Sequence, residues 1–212
     1  MSRDPLDARA EFPILARKIY LNSCSLGALS RRSESYLDEL QARWHAMGAS
    51  AWYELWLGRI EELRERVARF LGARPGELAL PASTSAALSV VAESVSYQER
   101  DRVVVSELDF PTLAYQWTVK PEVELVVLRS PDGVGMDLEQ YREAVDERTA
   151  FLATSHVFFT TGFVQDVAEL ARIARAAGAH SLIDGYQAPG QIPVDLHRLG
   201  VDFYTAGPLK WL

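Results

Sequence analysis

Between residues 56 and 71 the apolar positions Trp56, Ile60, Leu63, Val67, Phe70 and Leu71 recur every three or four residues among arginines and glutamates, and Gly72 follows as a stop. That spacing predicts an amphipathic helix laid on a core. Downstream, short apolar runs alternate with helical patterns. The runs lie at 77–81, 102–106, 123–128, 150–157, 181–183 and 201–205, and the helices at about 85–97, 137–145 and 166–177. Strands that read as nearly unbroken apolar stretches between amphipathic helices imply a mainly parallel sheet with helices on both faces. The fold class is therefore α/β. Residues 1–50 break the pattern: the segment 20–30 followed by a helix to about Met47 reads as an N-terminal arm ahead of a domain at 51–212.

Composition narrows what such a domain binds. With 212 residues, 48% hydrophobic and 24% charged, the chain buries a sizeable core and is too balanced to be disordered. A formal net charge of −7 argues against nucleic acid, which needs Lys and Arg gathered on one face. No run approaches the roughly 18 apolar residues of a membrane helix, and the start has no apolar signal-peptide core, so a cytoplasmic protein is expected. The single cysteine, Cys24, excludes an internal disulfide framework and a cysteine-rich metal site; no metal is expected, and Cys24 itself reads as a small buried residue.

In a mainly parallel sheet, ligands bind beyond the carboxyl ends of the strands. The residues following the apolar runs are Ser83, Thr84 and Ser85, then Asp109, Phe110 and Pro111, then Ser155 and His156, then Asp184 and Gln187, and finally Lys210. They match the needs of a pyridoxal 5′-phosphate (PLP) site: a lysine for the imine, an acid against the pyridine nitrogen, an aromatic over the ring and a cradle for phosphate. A lysine in a dry pocket loses part of its basicity and becomes nucleophilic near neutral pH, which suits Lys210. Asp184, at the floor of a crevice, can keep a pyridinium protonated. Thr84 and Ser85 precede a helix whose free N–H groups and dipole favour an anion. Phe110 offers an aromatic face. Each has a plainer reading beside it: a surface lysine, a strand-end aspartate, a helix cap and a core phenylalanine.

Four segments, PASTSAAL at 81–88, ELDFPT at 107–112, SHVFFTTG at 155–162 and LIDGYQAPGQIPVDLHRLGVDFYTAGPLKWL at 182–212, resemble the class V aminotransferase family of fold-type I PLP enzymes. The resemblance implies Lys210 as the Schiff-base lysine, Asp184 as the partner of the pyridine nitrogen and Gln187 near the phenolic oxygen. It also implies Thr84 and Ser85 on the phosphate, Phe110 stacked on the ring, and Ser155 as a further cofactor contact. His156 and Thr161 belong to the motif without separate roles. An amino acid or related amine is the implied substrate, and a homodimer the implied full-length assembly.

The chain departs from particular subgroups. Cysteine desulfurases carry histidine where Phe110 stands and a Ser-x-His pattern where this chain has Gly207, Pro208 and Leu209. Kynureninases share the Phe-Pro-Thr stretch and the Asn-Ser and Ser-Leu-Gly elements near 22–27, but carry histidine at the position of Gln187. The Lys-Trp-Leu ending is closest to epimerase-like members. The resemblance also implies more chain past Lys210, including a C-terminal domain with a carboxylate-binding arginine, whereas only Trp211 and Leu212 follow here. The large domain is thus expected to be incomplete and the substrate-selecting part to be missing. A non-catalytic remnant acting as an interaction module, with Trp52, Tyr53 and Trp56 on its surface, is the alternative. A nucleotide-binding domain would need a glycine-rich turn that PASTSAAL does not offer.

Overall fold

The computed structural model describes residues 5–211. A long helix α1 (Arg31–Met47) begins at Ser30, whose side chain accepts from the Ser33 N–H, and ends at Gly48. A π-helical turn (Trp52–Trp56) leads into α2 (Leu57–Phe70). The helix α3 (Thr84–Glu93), the strand β1 (Arg102–Ser106), α4 (Pro111–Thr118), β2 (Glu124–Leu128) and α5 (Leu138–Ala144) follow. Then come β3 (Thr149–Ser155), α6 (Val167–Ala176), β4 (His180–Asp184), the single turn α7 (Leu196–Leu199) and β5 (Phe203–Thr205).

The strands form one sheet in the order β2-β1-β3-β4-β5, and every pairing is parallel. Parallel strands need helical crossovers, which place apolar side chains on both faces. On one face Val103, Val105, Phe151, Ala153, Leu182 and Phe203 pack beneath Leu88 and Ala92 of α3 and Leu113 and Trp117 of α4. On the other, Val104, Leu152, Ile183 and Tyr204 meet Tyr141 of α5 and Val167, Leu170 and Ala174 of α6. Adjacent strand residues alternate between the two layers, as the two-residue side-chain period of a strand requires. Among the described residues no helix is long and apolar enough to cross a membrane.

Three expectations need correction. The apolar run at 77–81 forms no strand: a 3-10 turn at Pro75–Glu77 gives way to backbone outside any ladder, and the Leu78 carbonyl is taken by the Arg64 guanidinium. An apolar run becomes a strand only where a neighbour supplies main-chain partners, and here β5 closes the sheet. The pattern also missed α4, whose signals were local: Pro111 in the first turn, where its lost N–H costs nothing, and Leu113 and Trp117 four apart on the buried side. Finally, Cys24 is exposed, because the segment around it lies on the surface of the domain.

Candidate cofactor-binding site

The carboxyl ends of β3, β4 and β5 bring three polar side chains into one row. Ser155 is in register with Asp184, and Asp184 with Thr205. Partners in a parallel ladder stand on the same face. Two residues earlier the row reads Ala153, Leu182 and Phe203, all in the layer under α3 and α4. Ser155, Asp184 and Thr205 therefore face the N-terminal ends of those helices, and all three are buried.

Lys210 comes to the same place by a short excursion beyond β5. Burial holds its ammonium below the usual lysine range, while nearby Asp184 and Cys24 pull it back up. Asp184 is moved upward by burial, against the Tyr186 N–H that donates to its Oδ1 at 2.9 Å and against the positive charge of Lys210. Tyr186 touches both groups, with its N–H on Asp184 and its ring under the Lys210 ammonium. The Lys210 Nζ stands 4.8 Å over the Tyr186 ring, close enough for a cation–π attraction. Tyr186 occupies that position because residue 207 is glycine: a Cβ there would lie 2.2 Å from the tyrosine's Cε2.

The N-terminal arm closes over this excursion. The Gly27 N–H donates to the Leu209 carbonyl at 2.9 Å, and a Cβ on Gly27 would stand 2.7 Å from the carbonyl oxygens of both Leu209 and Lys210. Gln187 Nε2 donates to the Cys24 carbonyl at 3.0 Å, and Trp211 Nε1 donates to Gln187 Oε1 at 3.1 Å. Because an amide nitrogen carries two hydrogens, one remains free on Gln187 for a ligand.

At the start of α3 the cap is Ser83, whose Oγ accepts from the Ala86 N–H at 3.1 Å. That leaves the next two hydroxyls for other work. Ser85 Oγ lies 3.0 Å from Thr112 Oγ1, tying the first turn of α3 to that of α4. Thr84 Oγ1 is buried and has no partner among the described residues. Phe110, at the head of α4, is 45% exposed and touches Phe159 edge-on at 5.2 Å, so one aromatic face stays available.

Two neighbouring groups received no role from the sequence. Asp109 is buried and accepts from the Ser106 N–H at 2.8 Å, the Ser155 N–H at 2.7 Å and the Thr154 hydroxyl at 3.0 Å. Burial pushes its carboxyl up to about 7 against these hydrogen bonds. It anchors the loop carrying Phe110 to the end of β3. His156 turns to the opposite layer, where its Nδ1 lies 2.9 Å from the Tyr204 hydroxyl, and burial pushes its imidazole down to about 4. Asp109 had a signal, since it lies just past the apolar run of β1; the His156–Tyr204 contact, between residues 48 apart in sequence, had none.

Comparison with known proteins agrees with this frame. The profile of the Aminotransferase class-V family matches residues 28–212. The chain is similar to a Bacillus subtilis (strain 168) protein named as an uncharacterized aminotransferase, YcbU: 34% identity over 216 residues, covering 100% of this chain and 56% of that protein. Its fold is similar to the apo structure of a cysteine desulfurase from Thermococcus onnurineus NA1, with TM-score 0.84 and 23% identity, covering 99% of this chain and 56% of that one. It is also similar to C-DES, in a lysine-to-alanine variant described with glycine covalently linked to its PLP cofactor, with TM-score 0.88 and 19% identity, covering 99% and 56%. The chain thus spans little more than half the length of these proteins. With a parallel sheet between two helical layers and a profile match over most of its length, the chain belongs to the class V aminotransferase family.

Proposed function

We propose that this chain is the PLP-binding portion of an enzyme acting on an amino acid or related amine, with Lys210 as the residue that bonds the cofactor. The observation that carries the reading is Tyr186, which touches both buried Asp184, through its N–H, and half-buried Lys210, through its ring, two groups 26 residues apart in sequence. The polar groups fit such a ligand. Among the described residues, Thr84 Oγ1 is buried without a partner at a helix start where free N–H groups favour phosphate, and the buried Asp184 carboxylate accepts a single hydrogen bond, from Tyr186.

In this reading Thr84 and Ser85 hold the phosphate, Phe110 covers the ring, Ser155 adds a polar contact, and Gln187 donates its free N–H to the phenolic oxygen. Asp184 keeps a proton on the pyridine nitrogen. Bound PLP supplies an electron sink for a carbanion at the substrate α-carbon. Lys210, its basicity lowered by burial, would hold the cofactor through its side-chain amine and, when free, would serve as the base for the substrate α-proton. The reading extends to a homodimeric cytoplasmic protein in which residues 51–212 form the cofactor domain and residues 1–50 its arm.

The test is covalent chemistry. Protein purified with PLP is reduced with borohydride and digested, and the cofactor-bearing peptide is identified by mass. A label on Lys210 is expected, and none in Lys210→Ala. Unchanged labelling of that variant would sink the assignment.

One observation favours a second reading, an interaction module. An apolar cleft between α1 and α2 is lined by Leu40, Trp44, Trp52, Trp56, Ile60 and Leu63, and it shares no lining residue with the pocket above. Turnover of any added amine by PLP-loaded protein excludes that reading as the whole function.

A further inference from the structure

Thr205 has a place in the proposed pocket that neither the family resemblance nor the motifs assign. It is 7% exposed, it ends β5 in register with Asp184, and its hydroxyl has no hydrogen-bond partner among the described residues. A buried hydroxyl without a partner is destabilising, and a valine of the same shape would spare that cost. The orphan on Thr205 is matched by the one on Thr84. Phe203, two residues earlier on the same side of β5, packs in the layer that contains Leu88 of α3, and α3 is in contact with β5. The two unpaired hydroxyls therefore belong to the same face, one at the helix start and one at the strand end. Between Thr205 and Lys210 the residues are Ala206, Gly207, Pro208 and Leu209, none with a polar side chain. Thr205 is thus the one side-chain donor this segment offers ahead of the lysine.

We propose that the Thr205 hydroxyl donates a hydrogen bond to the phosphate of the cofactor, from the sheet side, facing Thr84 and the N–H groups of α3. The inference rests on the PLP reading above and adds a phosphate contact to it. A phosphate monoester satisfies both orphans together, since its oxygens accept from several directions.

The experiment compares PLP with pyridoxal, which keeps the aldehyde and ring but lacks the phosphate. Both are titrated by absorbance into cofactor-free wild-type protein, Thr205→Val and Thr205→Ser. For Thr205→Val the PLP Kd is expected to rise about tenfold or more, as for loss of a hydrogen bond to a charged group. The pyridoxal Kd should stay within about twofold, Thr205→Ser should recover most of the PLP affinity, and the cofactor-free valine variant should melt at a higher temperature than wild type. An unchanged PLP Kd in Thr205→Val overturns the proposal, and so does an equal loss for PLP and pyridoxal, which would make Thr205 a ring contact or a packing residue. Wild-type protein that takes up no PLP fails earlier, and that result sinks the cofactor assignment itself.

Discussion

Replacing Asp109 by asparagine separates two forces that act on it in opposite directions. Two backbone N–H groups and a hydroxyl point at this carboxyl, which favours its charged form, while burial favours the neutral form and holds it at about 7. The amide of Asp109→Asn keeps an acceptor for the Ser155 N–H and Thr154 but turns N–H toward the N–H of Ser106. One buried donor is thereby left unpaired, at a cost of about 1–3 kcal/mol. The pH dependence carries the sharper prediction. Between the unfolded carboxyl value of about 3.9 and the folded value, the native state retains a proton that the unfolded chain releases. The stability from this group is full below about 4, falls by about 1.4 kcal/mol per pH unit, and is gone once pH has risen through 7. His156 has the opposite sign: held neutral by burial down to about 4, it costs stability as pH falls below the usual histidine range. The slopes from His156 and from Asp184, whose carboxyl burial also raises, are common to both proteins, so the cost of Asp109→Asn relative to wild type is expected to be largest at pH 5 and to shrink as pH rises to 8. Urea denaturation followed by tryptophan fluorescence at pH 5, 6.5 and 8 reads this directly. The reasoning is refuted if the substitution costs more at pH 8 than at pH 5, since the carboxyl would then be charged throughout and hydrogen bonding would have beaten burial.

Other substitutions probe the pocket wall and its clasp. Gly207→Ala sets a Cβ against Tyr186 and should cost about 1–3 kcal/mol, most of it recovered when Tyr186→Ala is added; a double variant no more stable than the single one would show that the two do not share space. Gly27→Ala collides with two backbone carbonyls that cannot rotate away, and should raise amide hydrogen exchange at 205–211. Unchanged protection there would mean that the arm does not secure the lysine segment.

Much of the frame was legible because buried parallel strands and amphipathic helices leave opposite hydropathy patterns. Val103 to Val105 and Ala150 to Ala153 are covered on both faces and have no polar alternation to confuse them with helix. Residues 77–81 failed for the complementary reason: pattern reports the wish to be buried, while pairing depends on a neighbour that lies elsewhere in the chain. In the proposed site, Asp184 and Lys210 drew attention as polar residues beyond apolar runs, and Phe110 and Thr84 through local motifs. Tyr186 against Gly207, Gln187 against Cys24 and His156 against Tyr204 are contacts between distant segments, fixed by side-chain volume and direction. No local spacing encodes them.

The match to the family profile begins at residue 28, and Gly27 is the residue just before it. A protein begun at 28 would retain every strand and most motif residues, yet would uncover the Leu209 carbonyl and leave the Gln187 amide one acceptor short. Domain limits drawn from profile similarity would, for this chain, cut away the latch that fixes the segment carrying Lys210.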